Sequence, residues 1–102
     1  MREIKFRGIS IDSATWIYGD LAQSFMYGKR YIDGISVDPK TVGQFIGLKD
    51  KNDKEIFEGD LIYLAGIGII EVEFPFLDIY EASYENDIGE IKGNIYETPF
   101  TS

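Results

Sequence analysis

The sequence predicts a small, mainly β protein of short antiparallel strands, with about one short helical turn near residues 39–43. Three observations carry this expectation. Apolar and polar residues alternate in steps of two along much of the chain, the period of a half-buried strand. Turn-forming Gly, Asp, Asn and Ser residues punctuate those stretches at short intervals. Asp38-Pro39 is the clearest helix start in the chain, with Asp placed to cap and Pro at the first helical position.

Taken in order, Arg2 to Arg7 alternates, with Ile4 and Phe6 expected on one face and charged side chains on the other. Asp12-Ser13-Ala14 reads as a turn, because Asp and Ser can bond their own backbone there. Trp16-Ile17-Tyr18 resumes as a strand, Gly19-Asp20 interrupts it, and Leu21 to Tyr27 is the next candidate. Turns at Gly28-Lys29-Arg30 and Asp33-Gly34 bracket Tyr31-Ile32, and Ile35 to Val37 is short and extended. After Asp38-Pro39, Gly43 and Gly47 limit the helix to about one turn before Phe45-Ile46 extends. Leu48 to Phe57 reads as a hairpin with a polar tip at residues 49–55. Gly59-Asp60 opens the strand Leu61 to Leu64, and Gly66 and Gly68 loosen the link that follows. Ile69 to Phe74 alternates again, with Glu71 and Glu73 on one face and Val72 and Phe74 on the other; Pro75 ends it, having no N–H for a ladder. Leu77 to Tyr84 fits a helix by its apolar spacing and a strand by its tyrosines, and strand is favoured slightly. Ile91 to Tyr96 is the last element, with a short tail from Pro99. The expectation is one domain over residues 1–102, with an N-terminal β part at about 1–45 and a C-terminal part at about 46–98.

Composition narrows the chemistry. With 44% hydrophobic and 15% aromatic residues, the chain is too apolar to stay disordered. It contains no Cys, which excludes disulfides, thiolate metal sites and Cys nucleophiles. It contains no His, the commonest general base and transition-metal ligand. No signal-peptide core or membrane-length apolar run is visible, so a cytoplasmic location is expected. The net charge of −8 is unevenly placed. Nine basic and nine acidic residues cancel over 1–58, whereas residues 59–102 set a single base, Lys92, against nine acids. That half would repel phosphates, which argues against direct nucleic-acid binding.

Candidate sites mostly dissolve on inspection. Asp50-Lys51-Asn52-Asp53 opens like a calcium loop, but Lys54, Glu55 and Leu61 stand where an oxygen ligand, a Gly and a Glu are needed. Ala65-Gly66-Ile67-Gly68 lacks the spacing and Lys of a phosphate loop. Eighteen acids guarantee accidental carboxylate pairs, so no catalytic dyad, metal or cofactor is assigned. Gly-Asp before an apolar run occurs at both Gly19-Asp20-Leu21 and Gly59-Asp60-Leu61, which strand-entry turns explain without a repeat. Phe74, Phe76, Tyr80 and Tyr84 are flanked by acids rather than the bases that accompany nucleic-acid stacking platforms, and core packing is the reading for most of them. The acidic run has two readings, a solvated face or a partner surface, and the candidate partner surface is Glu71, Glu73, Asp78, Glu81 and Glu85.

The block from Val37 to Asp60 resembles the signature of the YopX family of phage and prophage proteins. Arg2-Glu3-Ile4-Lys5-Phe6-Arg7-Gly8 and Ile91-Lys92-Gly93-Asn94-Ile95-Tyr96-Glu97 resemble that family's two ends. The resemblance implies a phage or prophage gene carried in a bacterium, a mostly β structure that is barrel-like in its C-terminal half, at about residues 46–98, and no assigned activity or catalytic residue. The family usually has Gly where this chain has Asp53, and Trp near position 9, where this chain has Ile9. Asp53 is therefore expected at positive φ. The functional expectation is a non-enzymatic accessory protein that binds a host or phage protein or associates with itself. The alternative is an acidic mimic of nucleic acid that occupies a basic host protein.

Overall fold

The computed structural model describes residues 4–23 and 27–96. The opening Arg2-Glu3, the centre of the predicted Leu21–Tyr27 strand and the tail from Pro99 lie outside the described residues. The mainly β reading is correct: among the described residues, ten short strands form three antiparallel sheets, joined by one 3₁₀ turn and one α-helix. The chain divides into two compact units, Met1–Phe45 and Ile46–Ser102.

In the first unit, β1 (Phe6–Ile9) pairs with β2 (Trp16–Gly19) on one side. On its other side Phe6 and Arg7 face Gln44 and Gly43 at the start of β6 (Gly43–Lys49). This first strand is covered on both faces, with Gly8 buried on the side of Phe6 and Arg7 buried on the other. Ile4 is exposed, and Arg7 is buried with its guanidinium 4.4 Å from the centre of the Trp16 ring. A flat guanidinium can cover an aromatic face while its methylene stem packs as an apolar chain, so the charge pattern misjudged this position.

A second sheet in this unit takes the order β3 (Leu21–Gln23), β4 (Arg30–Ile32), β5 (Ile35–Val37). Ile32 and Ile35 are directly paired, so only Asp33 and Gly34 make the turn, at φ 50° and 81°. Two positive φ values at an Asp-Gly pair are the type I′ geometry that suits the twist of a hairpin. Ile32 and Val37 are fully buried beside Gly8, where any side chain would crowd them. The predicted helical turn is a 3₁₀ turn at Pro39–Thr41, with the Asp38 carboxylate accepting from Lys40 N. Buried Thr41 fastens it to β1: its hydroxyl donates to Asp38 O and accepts from Ile9 N.

In the second unit, the later residues of β6 form the predicted hairpin with β7 (Glu55–Phe57). A three-stranded sheet follows in the order β10 (Ile88–Asn94), β8 (Asp60–Leu64), β9 (Gly68–Glu71). No closed barrel forms among the described residues. The chain leaves β9 for α1 (Leu77–Tyr84), and that helix, rather than a closing strand, packs on the core. Closure would need β9 and β10 to join, yet both remain edges of an open sheet. The core gathers Ile46, Ile56, Ile62, Leu64, Val72, Ile79 and Ala82. Each fully buried Ile or Leu in such a cluster contributes about 1.5–3 kcal/mol.

The slight preference for a strand at Leu77–Tyr84 is thus corrected to a helix. Buried Ile79 and Ala82 lie three apart, on one helical face, whereas the tyrosines that favoured a strand do not define the buried face.

Candidate functional site

Everything that presents the acidic run begins where β9 stops. Val72 is buried and its backbone still bonds across to Gly59 and Asp60, which anchors the chain beside β8. The chain then turns through Glu73 to Phe76, closed by Phe76 N donating to Glu73 O at 2.8 Å. Glu71 and Glu73 therefore do not share one strand face as predicted; β9 ends at Glu71, and Glu73 stands in the turn. Both side chains remain exposed.

Phe76 adopts φ 66° and ψ 21° immediately before α1 and makes no side-chain cap. Positive φ is unusual for a bulky residue. The far end of α1 is better closed: Asn86 at φ 61° donates to Ser83 O, and Asp87 N donates to Ala82 O at 2.8 Å. That pair of bonds around a left-handed residue is a Schellman motif, and Asn tolerates the position nearly as Gly does.

Because Ile79 and Ala82 hold the inner face, the outer face of α1 carries Leu77, Asp78, Glu81, Tyr84 and Glu85. Asp78, Glu81 and Glu85 fall on one stripe at helical spacing. At the helix start, Glu71, Glu73 and Asp78 line a recess of about 280 Å³ together with Phe74 and Phe76. All five predicted surface acids thus reach one region, three along the helix and two beside its start.

The aromatics are where sequence reading missed. Phe74 is 78% exposed and Tyr84 is 93% exposed, and Leu77 is exposed as well, so neither aromatic belongs to the core. Phe76 and Tyr80 are half-buried. Edge-to-face contacts connect Phe74 to Phe76 at 5.6 Å and Phe76 to Tyr80 at 6.2 Å between ring centres. Tyr80 is fixed in turn by its hydroxyl, which donates to Ile46 O at 2.9 Å. A covered ring thereby holds an exposed one.

Asp50 illustrates the opposite error, a residue read as a polar tip that is in fact buried. One carboxylate oxygen accepts from Asn52 N and Lys54 N, and the other accepts from Ile91 N in β10, all within 2.8–2.9 Å. Burial pushes its pKa up, but the three backbone donors, with Lys54 nearby, outweigh burial and hold it below the ordinary carboxylate value. Those bonds give Asp50 a structural task at the hairpin. Among the described residues, no three acidic side chains are grouped to hold a metal ion. No helix among them is long and apolar enough to cross a membrane.

Asp53 sits at φ 67°, in the left-handed region expected from the family's usual Gly there. Comparison with curated proteins and with solved structures returns no match. Comparison with protein families does: residues 1–100 match the family described as YopX protein, and with nearly the whole chain inside that match, the chain belongs to the YopX family.

Proposed function

We propose that this chain is a phage or prophage accessory protein that works by binding another protein through the face at residues 71–85. On this reading it catalyses no reaction, uses no cofactor and acts in the cytoplasm of the bacterial host. The observation behind it is the company the acids keep. Acids alone on an exposed helix are ordinary, but Phe74, Leu77 and Tyr84 stand in water among them. A cluster of large exposed apolar groups rimmed by charge is the usual make-up of a protein contact, with aromatics at its centre. The absence of His and Cys from the sequence supports a role without catalysis. The same apolar groups weigh against a nucleic-acid mimic, because a phosphate backbone has no counterpart for them.

The partner is expected to be a host or phage protein with a basic surface; a second copy of this acidic chain fits the face less well. Charge reversal tests the reading. The protein with Glu71→Lys and Glu73→Lys should keep its circular dichroism spectrum but lose captured host or phage proteins at low salt, where exposed charges act over the longest range. If wild type and double variant capture the same proteins at every salt concentration, the face only keeps the protein in solution and the reading falls.

A further inference from the structure

The recess at the start of α1 is more than an acidic patch, because an exposed ring is held within it. Glu71, Glu73 and Asp78 line it together with Phe74, and Phe76 meets that ring edge-to-face. At 78% exposure, the Phe74 side chain is largely open to solvent. A ring face carries partial negative charge and attracts cations, and carboxylates beside it add to the attraction. The helix start works the other way, with about half a positive charge on its free N–H groups, but three carboxylates outweigh it.

We infer that this recess takes an arginine side chain of the binding partner, its guanidinium stacked on Phe74 and bonded to carboxylates at the rim. The inference rests on the proposal that residues 71–85 form a protein-binding face, and it names what that face grips. Arginine fits better than lysine for two reasons. Its flat, weakly hydrated guanidinium lies on an aromatic face at little desolvation cost, and its fork of N–H donors matches a carboxylate with two bonds. A lysine ammonium is compact and strongly hydrated, so at an open site it gains little by leaving water for the ring.

The full-length protein, labelled with ¹⁵N, is titrated with hexa-arginine, hexa-lysine and hexa-citrulline peptides and followed by NMR. Citrulline keeps the planar shape and removes the charge. Hexa-arginine should shift the amides of residues 71–79 and bind more tightly than hexa-lysine, while hexa-citrulline leaves them unmoved. Phe74→Ala should keep the fold, since the ring is largely exposed, and weaken hexa-arginine about two- to five-fold, the range of an exposed cation–π contact. The same change should scarcely alter hexa-lysine binding. Equal affinity for the two basic peptides, shifts spread over acids throughout the chain, or no effect of Phe74→Ala would overturn the inference. So would a dimer of the protein alone that Phe74→Ala dissolves, because the occupant would then be a second copy. The two proposals fail separately. Arginine-selective, Phe74-dependent binding supports the socket even if charge reversal leaves protein capture unchanged, whereas capture that depends on Glu71 and Glu73 without arginine selectivity removes the socket alone.

Discussion

Asp53 and Asp50 occupy the same hairpin tip and make opposite demands on the chain. Asp53 is exposed at φ 67°, and its ion pair with Lys49 is long, at 3.7 Å, and open to solvent. Such a pair contributes little, whereas a left-handed backbone strains any residue with a Cβ. Asp53→Gly should therefore stabilise the protein by about 0.5 kcal/mol after the entropy of a freer unfolded chain is subtracted. Urea denaturation at neutral pH measures it, and a loss of stability would show that the carboxylate matters more than the strain. Asp50→Ala should cost about 3 kcal/mol, because three backbone donors lose a charged acceptor. Its pH dependence has a definite sign. The folded carboxyl group has a lowered pKa, so its contribution is complete above the ordinary value of 3.8 and fades as pH falls toward the folded value. The stability gap between wild type and Asp50→Asn should stay constant from about pH 5 to 7 and shrink below about pH 4. Asp53 was legible because a single local dihedral decides it. Asp50 was not, because the N–H that buries it belongs to Ile91, forty-one residues away, and no local pattern announces that partner.

Helix α1 combines a fixed inner face with an unpaired outer one. Ile79 is almost fully buried in the core cluster, so Ile79→Ala should cost about 2–5 kcal/mol. Leu77 is 69% exposed on the other side, and Leu77→Ala should change stability by less than about 0.5 kcal/mol. Equal costs at the two positions, read from urea denaturation, would mean that the helix packs differently. This element was misjudged because its tyrosine content weighed toward a strand, although Tyr84 is exposed and Tyr80 only half-buried. The true buried pair includes Ala82, which a hydrophobicity pattern underweights. The hairpins fared better: Asp33-Gly34 and the polar run at residues 50–54 dictate their turns through local backbone chemistry. The candidate face was half legible. Its acids could be named from charge alone, but its exposed Phe74 and Tyr84 could not, because an aromatic beside an acid looks the same whether it is covered or bare.

At the scale of the whole chain, the net charge of −8 lies entirely in residues 59–102. Crowded like charges repel within a compact state, so added salt should raise the denaturation midpoint between about 0.02 and 0.2 M NaCl. Glu71→Lys with Glu73→Lys should flatten that dependence; an unchanged slope would mean that these acids are too well separated to repel. The sheet order and the helix that takes the place of barrel closure were beyond sequence reading, since both depend on pairings distant along the chain. Trp16, the chain's single tryptophan, lies within the Met1–Phe45 unit with a guanidinium on its ring. Its fluorescence is therefore a private reporter of that unit, while helix α1, in the other unit, contributes to far-ultraviolet circular dichroism. The division between units falls inside β6, between Phe45 and Ile46, and half a strand is a poor place for one unit to melt alone. The two optical signals should lose their native values along one shared curve, and separate midpoints would reveal two independently melting parts.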